Sequence, residues 1–241
     1  MRFFFLPHLP TTTRGPWTPP RELLRHLKAL RLAPEEEFLL LHPADDGAAL
    51  RVRWPGDTHL ELRGTEPRPE LPLRPVTLAT AWPKGPRADE LVARAAEAGV
   101  GRIQPLVFER SVAGREAFTS SRLERWRRLA QESCQQCRNP RPPRIEASPM
   151  PVGQALGAFP EAWLVQLVPG APRLIDRLEL GPAGEVVLLV GPEGGFSAAE
   201  SALFAEHGIE PAGLLPTVLR IEAAGPLAAA ICQHQAASPA G

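Results

Sequence analysis

The sequence has no tyrosine, only two lysines, only three cysteines and no long apolar run. Three cysteines are too few for a disulfide framework. No apolar run approaches the roughly 20 residues that a membrane-spanning helix needs. Residues 1–6 are too short, and too soon followed by prolines, for a signal peptide. We therefore expect a soluble cytoplasmic protein that has no membrane partner.

A metal site is not expected either. Cys134 and Cys137 have the spacing of half a zinc or redox motif. A second such pair is missing, and the six histidines are scattered along the chain. We interpret the two cysteines as structural and predict that the protein holds no metal.

Positive charge is carried almost entirely by arginine and is unevenly distributed, although the net charge is zero. Residues 110–145 contain nine arginines against three glutamates. The planar guanidinium matches the geometry of a phosphate, so this segment predicts an RNA-contacting patch. The alternative is a solvated helix face. Residues 181–241 show the opposite balance, with six glutamates and Arg220 as the only arginine or lysine.

The first 72 residues have the pattern of a small separate domain. Short strands in succession, with turn residues between them, predict a small β-barrel or sandwich. A proline-rich linker follows at residues 66–75. The predicted elements are a strand at 3–6, a helix at 20–32, and strands at 37–41, 48–54 and 59–63.

From residue 73 to residue 241 the pattern changes to strands that alternate with helices, which predicts an α/β fold with a mostly parallel sheet. The predicted strands are 76–81, 102–108, 162–168, 186–190 and 213–215. The predicted helices are 86–98, 120–137, 198–207 and 223–235.

A glycine loop follows the apolar strand at 186–190, with the sequence Gly-Pro-Glu-Gly-Gly at 191–195. Ser197 and Glu200 then form a capping box, which marks the start of a helix. A strand, a glycine loop and a helix N-terminus in this order are typical of a ligand-binding edge, although an ordinary turn has the same pattern. The loop matches neither the P-loop nor the dinucleotide-binding motif, which disfavours a nucleoside triphosphate and a dinucleotide as ligands.

Arg220 and Glu222 are two polar residues in an apolar segment near the C-terminus. An isolated arginine there needs an anionic partner, either a carboxylate of the protein or a ligand. Glu222 is the nearest candidate and lies at the start of the last helix, where the dipole favours a carboxylate. Both interpretations stay open, a pair that stabilises the fold and a ligand-binding site.

Several of these segments together resemble the RsmE family of 16S ribosomal RNA uridine-N3 methyltransferases, within the SPOUT superfamily. Residues 191–200 match the family's Gly-Pro-Glu-Gly-Gly-Phe-Ser-x-x-Glu segment without a change, and residues 214–224 match its Leu-Gly-x-x-Ile-Leu-Arg-x-Glu-Thr-Ala segment in part. Pro83-Lys84-Gly85 and Pro105-Leu106 followed by Glu109-Arg110-Ser111 also fit. Leu215 replaces a family glycine and Ala223 replaces a family threonine.

The resemblance implies a PUA-like β-barrel at 1–72 that helps hold RNA, and a SPOUT methyltransferase domain at 73–241. The latter would have a parallel sheet and a C-terminal deep trefoil knot. S-adenosylmethionine would be held mainly by backbone groups of three loops, and the protein would be a homodimer. The implied cofactor-binding residues are Leu167, Val168, Pro169, Gly191, Pro192, Glu193, Gly194, Gly195, Leu214, Leu215, Pro216, Val218, Leu219 and Arg220.

The implied reaction is methylation of uridine N3 in 16S rRNA, as naked RNA or as the 30S subunit. Arg220 would stabilise the negative charge that grows on uracil, and Glu222 would position Arg220. Two alternatives remain: a SPOUT methyltransferase for a different RNA site, and a non-catalytic RNA-binding protein of ribosome assembly, which Leu215 and Ala223 favour. The implied RNA contacts are Arg2, Arg110, Arg122, Arg125, Arg128 and Arg138.

Overall fold

The structure is a computed structural model that describes residues 1–44, 47–111, 115–180 and 184–237 of the 241-residue chain. It divides into two compact units. The first comprises Met1–Leu71 together with Gln135–Arg141, and the second comprises Pro72–Cys134 and Pro142–Gly241. The membership of residues 135–141 in the first unit was not predicted, because no local pattern marks a return of the chain.

The first unit contains one sheet of five strands with the order β1-β3-β4-β5-β2. β1 pairs with β3 in parallel, and the other neighbours are antiparallel. Within the described residues no ladder joins β1 to β2, as closure into a barrel would require. The elements are β1 (Arg2–Phe5), β2 (Arg14–Trp17), α1 (Arg21–Ala29), β3 (Glu36–Leu41), β4 (Ala49–Trp54) and β5 (Leu60–Glu66).

The core of the first unit lies between this sheet and α1. The spacing of Leu23, Leu24, Leu27 and Leu30 predicts one apolar face of α1, of which Leu23 and Leu27 are buried and Leu30 is exposed. Phe4 of β1 meets Phe38 of β3 edge to face, with ring centroids 5.1 Å apart. β2 was not predicted, because glycine and proline are rare inside strands and are tolerated mainly at a sheet edge.

The second unit contains a parallel sheet with the order β12-β10-β11-β6-β7-β8, and β9 also pairs with β7. The predicted α/β fold with a parallel sheet is confirmed. Its strands are β6 (Val76–Ala81), β7 (Arg102–Val107), β8 (Arg144–Ile145), β9 (Met150–Pro151), β10 (Trp163–Leu167), β11 (Val186–Val190) and β12 (Pro211–Ala212). Its helices are α2 (Pro86–Glu97), α3 (Ser120–Cys137), α4 (Val152–Ala158), α5 (Leu174–Leu180), α6 (Ala198–Glu206) and α7 (Ile221–Ala237).

The predicted strand at 213–215 is wrong. The strand in this part of the chain is the two-residue β12, and residues 214–220 form an irregular loop. The apolar side chain of Leu215, which suggested a strand, is instead exposed. The elements α4, α5, β8 and β9 were missed because each is too short to show a helical or strand period.

Strands β6 and β11 form the centre of the parallel sheet, and every residue of both strands is buried. α7 packs against both strands and against α2 and α5. Gly225 allows a close approach, because a Cβ atom there would lie 2.5 Å from Cδ1 of Leu78 in β6. The start of α7 is thereby held close to the centre of the sheet.

No helix in the described part of the chain is both long enough and apolar enough to cross a membrane.

Candidate active site

The parallel strands of the second unit end at one edge of the sheet, where three loops surround a cavity of about 600 Å³. The loops follow β10, β11 and β12, which is where ligands bind in open α/β sheets. The volume lies within the range of about 300–1,000 Å³ that is usual for small-molecule sites.

The cavity contains all but one of the residues that were predicted to bind a cofactor. Pro216 is the exception, because it does not line the cavity. The predicted residues that do line it are Leu167, Val168, Pro169, Gly191, Pro192, Glu193, Gly194, Gly195, Leu214, Leu215, Val218, Leu219 and Arg220. Sequence reasoning missed Gln166, Val190, Phe196, Ser201, Ala212, Thr217, Ile221 and Ala224. Most of these residues are direct sequence neighbours of predicted residues, so extending each predicted loop by one residue would have included them.

The glycine loop after β11 is a tight turn. The N–H of Gly195 donates to the carbonyl oxygen of Pro192 at 2.8 Å, and Gly195 has a φ of 71°, which favours glycine. Arg110 braces the loop, since its Nη1 donates to the carbonyl oxygen of Gly194 at 2.8 Å. A residue predicted to contact RNA therefore also shapes the glycine loop.

The predicted capping box at the start of α6 is confirmed. The N–H of Ser197 donates to Oε2 of Glu200 at 2.8 Å, and the N–H of Glu200 donates to Oγ of Ser197 at 3.2 Å. The second carboxylate oxygen of the buried Glu200 accepts from the N–H of Glu109 at 2.7 Å. One carboxylate thus stabilises the helix start and also the loop after β7, which sequence spacing alone does not reveal.

The loop at residues 214–220 leaves its backbone donors unused. Apart from Pro216, which has no N–H, these residues donate no backbone hydrogen bond to any acceptor in the described ranges. Val218 in the loop is 80% exposed. Backbone N–H groups that line a cavity without acceptors are ready donors for a ligand.

Arg220 and Glu222 do not contact each other. Arg220 is exposed and makes no ion pair with any residue that the structure describes, and Glu222 is only 3% exposed. The interpretation of the two residues as a pair that stabilises the fold is therefore not supported by the described residues, and the positioning of Arg220 by Glu222 stays a prediction. The physical reason for the missing contact is their spacing, since side chains two residues apart at a helix start do not face each other. Oε2 of Glu222 is buried and has no hydrogen-bond partner in the described chain.

Glu193 and Arg220 are the only charged residues on the cavity wall as the described residues form it. Glu193 is half-exposed and forms an ion pair at 3.0 Å with Arg87, in the first turn of α2. The glycine loop is thereby connected to the helix that follows the neighbouring strand β6.

The arginines predicted to contact RNA are divided between the two units. Arg122, Arg125 and Arg128 are exposed along α3, whose opposite face is buried. Arg125 pairs with Asp89, and Nη1 of Arg122 donates to the carbonyl oxygen of Ala117 at 3.3 Å. Two of the predicted residues lie in the first unit, where Arg2 pairs with Glu36 at 3.5 Å and Arg138 is exposed. The Arg115 side chain lies outside the described residues.

Metal-ligating side chains do not cluster in the described ranges. No group of three or more histidine, cysteine, aspartate or glutamate side chains there could hold a metal ion. Cys134 is buried in α3 and Cys137 is exposed at its end.

Comparison with known proteins identifies the family. A family model described as an RNA methyltransferase domain matches residues 69–233. A ribosomal RNA small subunit methyltransferase E from Mycobacterium bovis is 31% identical over 82% of this chain and 78% of its own length. The chain belongs to this family. The predicted resemblance to RsmE is therefore confirmed.

Other family members agree with this result. The enzyme of the same name from Synechocystis is 36% identical over 63% of this chain, and the match spans half of that relative's length. A crystal structure of ribosomal RNA small subunit methyltransferase E from Neisseria gonorrhoeae, bound to S-adenosyl methionine, has a TM-score of 0.78 at 28% identity. The match covers 98% of this chain and 97% of that one.

Proposed function

We propose that this protein transfers a methyl group from S-adenosylmethionine to N3 of a uridine in 16S rRNA. The proposal rests on one observation above all: two loops that carry the family's motifs, at 191–200 and 214–224, surround a cavity at the sheet edge together with the loop after β10. Membership of the ribosomal RNA small subunit methyltransferase E family supports it, as does the structural relative that binds S-adenosyl methionine.

The residues of the cavity fit this cofactor. Apolar side chains such as Leu167, Leu214 and Ile221 provide a wall for an adenine ring, and Glu193 provides a negative charge near a sulfonium. The unused N–H groups of 214–220 suit the acceptor atoms of ribose and carboxylate groups. When bound, S-adenosylmethionine supplies an electrophilic methyl group on a positively charged sulfur.

Arg220 is proposed as the catalytic residue. Uridine N3 is a weak acid and must lose its proton to water for the new N–C bond to form, so negative charge grows on the uracil oxygens as the proton leaves. An exposed guanidinium on the cavity wall that makes no ion pair with a described residue can donate to those oxygens. No charge of the protein has to be displaced from Arg220 for this contact to form.

Glu222 is proposed to act beside Arg220 without touching it. The buried carboxylate lies in the first turn of α7, where the helix dipole favours a negative charge. Its negative field keeps the nearby Arg220 oriented toward the cavity. Glu222 is thus a positioning residue through electrostatics.

The larger assembly is also a proposal. The first unit would be a PUA-like barrel that helps hold RNA, the last loop and α7 would thread a trefoil knot, and the protein would be a homodimer. Leu215, Val218 and Leu227 are exposed apolar side chains on the last loop and α7, as a dimer interface needs. A ribosomal substrate, naked or as the 30S subunit, places the enzyme in the cytoplasm.

The test is methylation of 16S rRNA that lacks all modifications, with the product located by mass spectrometry. We expect one methyluridine modified at N3. Methylation of another base or position would favour a SPOUT enzyme of different specificity. Calorimetry with S-adenosylmethionine separates the third possibility, because a non-catalytic assembly protein would not bind the cofactor.

A further inference from the structure

A second cavity, of about 490 Å³, opens at the same edge of the parallel sheet. It lies between residues 82–89, which follow β6, and residues 116–126, which include the start of α3. β6 pairs directly with β11, whose loop lines the first cavity, and the ion pair between Arg87 and Glu193 connects the two loops. The second cavity is therefore one strand away from the proposed methyl-transfer site.

The inner wall of this cavity is rigid and aromatic. Trp82 contacts Phe118 and Trp126, with ring centroids 4.9 and 4.7 Å away. Nε1 of Trp126 donates to Oδ1 of Asp89 at 3.1 Å. The packed rings hold the wall in place without a ligand.

Trp82 carries an unsatisfied donor. Trp82 is 3% exposed and lines the cavity, and its buried Nε1 has no hydrogen-bond acceptor in the described chain. The indole N–H is covered by protein atoms and is not a donor to a ligand in the cavity, but the Trp82 ring lines the cavity and its signal can report binding there.

The charges at the cavity favour an anion. Lys84 and Arg122 line it and are exposed, and Lys84 makes no ion pair with a described residue. The positive end of the α2 dipole is also there, because Gly85 provides no side-chain cap and the N–H of Arg87 has no acceptor in the described ranges. Asp89 and Glu116 also line the cavity, but Asp89 already binds Arg125 and Trp126, so the lining has three basic side chains (Lys84, Arg122 and Arg125) against two carboxylates.

We propose that the second cavity is a subsite for an RNA phosphodiester next to the methylated uridine. Lys84, Arg122 and the start of α2 hold the phosphate oxygens, and the Trp82 ring forms part of the wall beside them. The inference rests on the proposed function only for the identity of the RNA. The bound phosphate holds the RNA strand beside the target uridine, so that the uracil base enters the first cavity.

The first experiment measures RNA binding by fluorescence anisotropy, with a labelled single-stranded oligonucleotide and several salt concentrations. We expect Lys84→Gln to weaken binding several-fold and to lower the slope of log K against log salt by about 0.7, the value for one phosphate contact on a single strand. Lys28→Gln is the matched control, because Lys28 is the only other lysine and is exposed on α1. Equal behaviour of the two variants would overturn the subsite.

The second experiment follows the indole N–H groups by NMR. The oligonucleotide should shift the Trp82 signal, assigned with Trp82→Phe, but not that of Trp54, which already donates to Asp57 at 3.0 Å. An unmoved Trp82 signal contradicts the inference. An equal shift with the same concentration of inorganic phosphate also contradicts it, because the cavity would then bind any small anion.

These measurements need no methyl transfer, so failure of the subsite and failure of the proposed function are distinguishable. A wild-type protein that methylates RNA, with Lys84→Gln indistinguishable from Lys28→Gln, keeps the function and removes the subsite. A protein that never methylates RNA but loses the phosphate contact in Lys84→Gln keeps the subsite and removes the function.

Discussion

Single side chains decide the chemistry proposed for this protein. Arg220 is exposed on the cavity wall without an ion pair to any described residue, whereas Glu222, two residues later, is buried. Glu193 has the opposite sign to Arg220 and is held by Arg87 at 3.0 Å. The positive charge of Arg220 is thus available to a ligand in the cavity, while the negative charge of Glu193 is held by an ion pair.

Replacing Arg220 tests its role. We expect Arg220→Ala to lower methyl transfer by 100-fold or more, about 3 kcal/mol of transition-state stabilisation, since it removes a donor to developing charge. Binding of S-adenosylmethionine, measured by calorimetry, should change little. Arg220→Lys keeps the charge and should recover part of the rate. Near-normal turnover of Arg220→Ala would remove Arg220 from the mechanism.

The buried thiol of Cys232 should make the free energy of unfolding depend on pH in the alkaline range. Burial raises the pKa of this thiol to about 11, from an ordinary value of about 9. Above pH 9 the unfolded state loses the proton first, so the free energy of unfolding should fall by about 2–3 kcal/mol up to pH 11. Urea unfolding of the wild type against Cys232→Ala measures the effect. A constant difference between the two proteins across this range would contradict the prediction.

Loops and helices bring these side chains together. The glycine loop is fixed from three directions, by its own turn, by Arg110 and by the capping box of α6. α7 begins at the last cavity loop and reaches the sheet through Gly225. α3 buries one face and exposes its arginines on the other.

The exposed arginines of α3 are predicted to bind RNA. Reversing the charges of Arg122, Arg125 and Arg128 to glutamate should weaken RNA binding at least tenfold and flatten its salt dependence, because each lost phosphate contact lowers the slope. Electrophoretic mobility shifts with 16S rRNA at several salt concentrations measure this. The fold should persist by circular dichroism, since all three side chains are exposed. An unchanged salt slope would identify a merely solvated helix face.

Gly225→Ala should loosen α7. The new methyl group would lie 2.5 Å from Cδ1 and 2.9 Å from Cδ2 of Leu78, so the helix or the side chain must move. We expect a loss of about 1–3 kcal/mol in the free energy of unfolding, measured with urea. Gly157→Ala in α4 is the control, because its Cβ would meet no atom within 4 Å. Equal stability of the two variants would show that α7 can shift without cost.

The three cavity loops of the second unit follow three consecutive strands of the chain, which lie side by side in the sheet. A ligand in that cavity contacts the ends of β10, β11 and β12 at once. Its binding energy therefore adds to the stability of the folded unit and not to that of the unfolded chain.

S-adenosylmethionine should accordingly protect the folded protein. At a concentration 100 times its dissociation constant the gain is about 2.7 kcal/mol, which raises the melting temperature by several degrees. Differential scanning calorimetry measures the shift, and adenosine without the methionine part should give a smaller one. No shift with S-adenosylmethionine at millimolar concentration would argue for the non-catalytic alternative.

Local residue patterns were sufficient for the central strands, the long helices, the capping box and the family. The segments at 76–81, 120–137 and 186–190 have the same ends in the prediction and in the structure, because their apolar pattern or caps are strong. The partly matching motif at 214–224 identified the last cavity loop. The strand that was predicted at 213–215 is absent from the structure.

Sequence alone determined a set of predicted cofactor-binding residues, nearly all of which line the cavity, and that they follow strands of a parallel sheet, because periodicity, caps and motifs are local properties. Only the tertiary structure decided what these residues contact. The hydrogen bond from Arg110 to the glycine loop and the contact between Glu109 and Glu200 depend on elements distant in the chain. Such contacts arise from packing across the sheet edge, which no local spacing encodes.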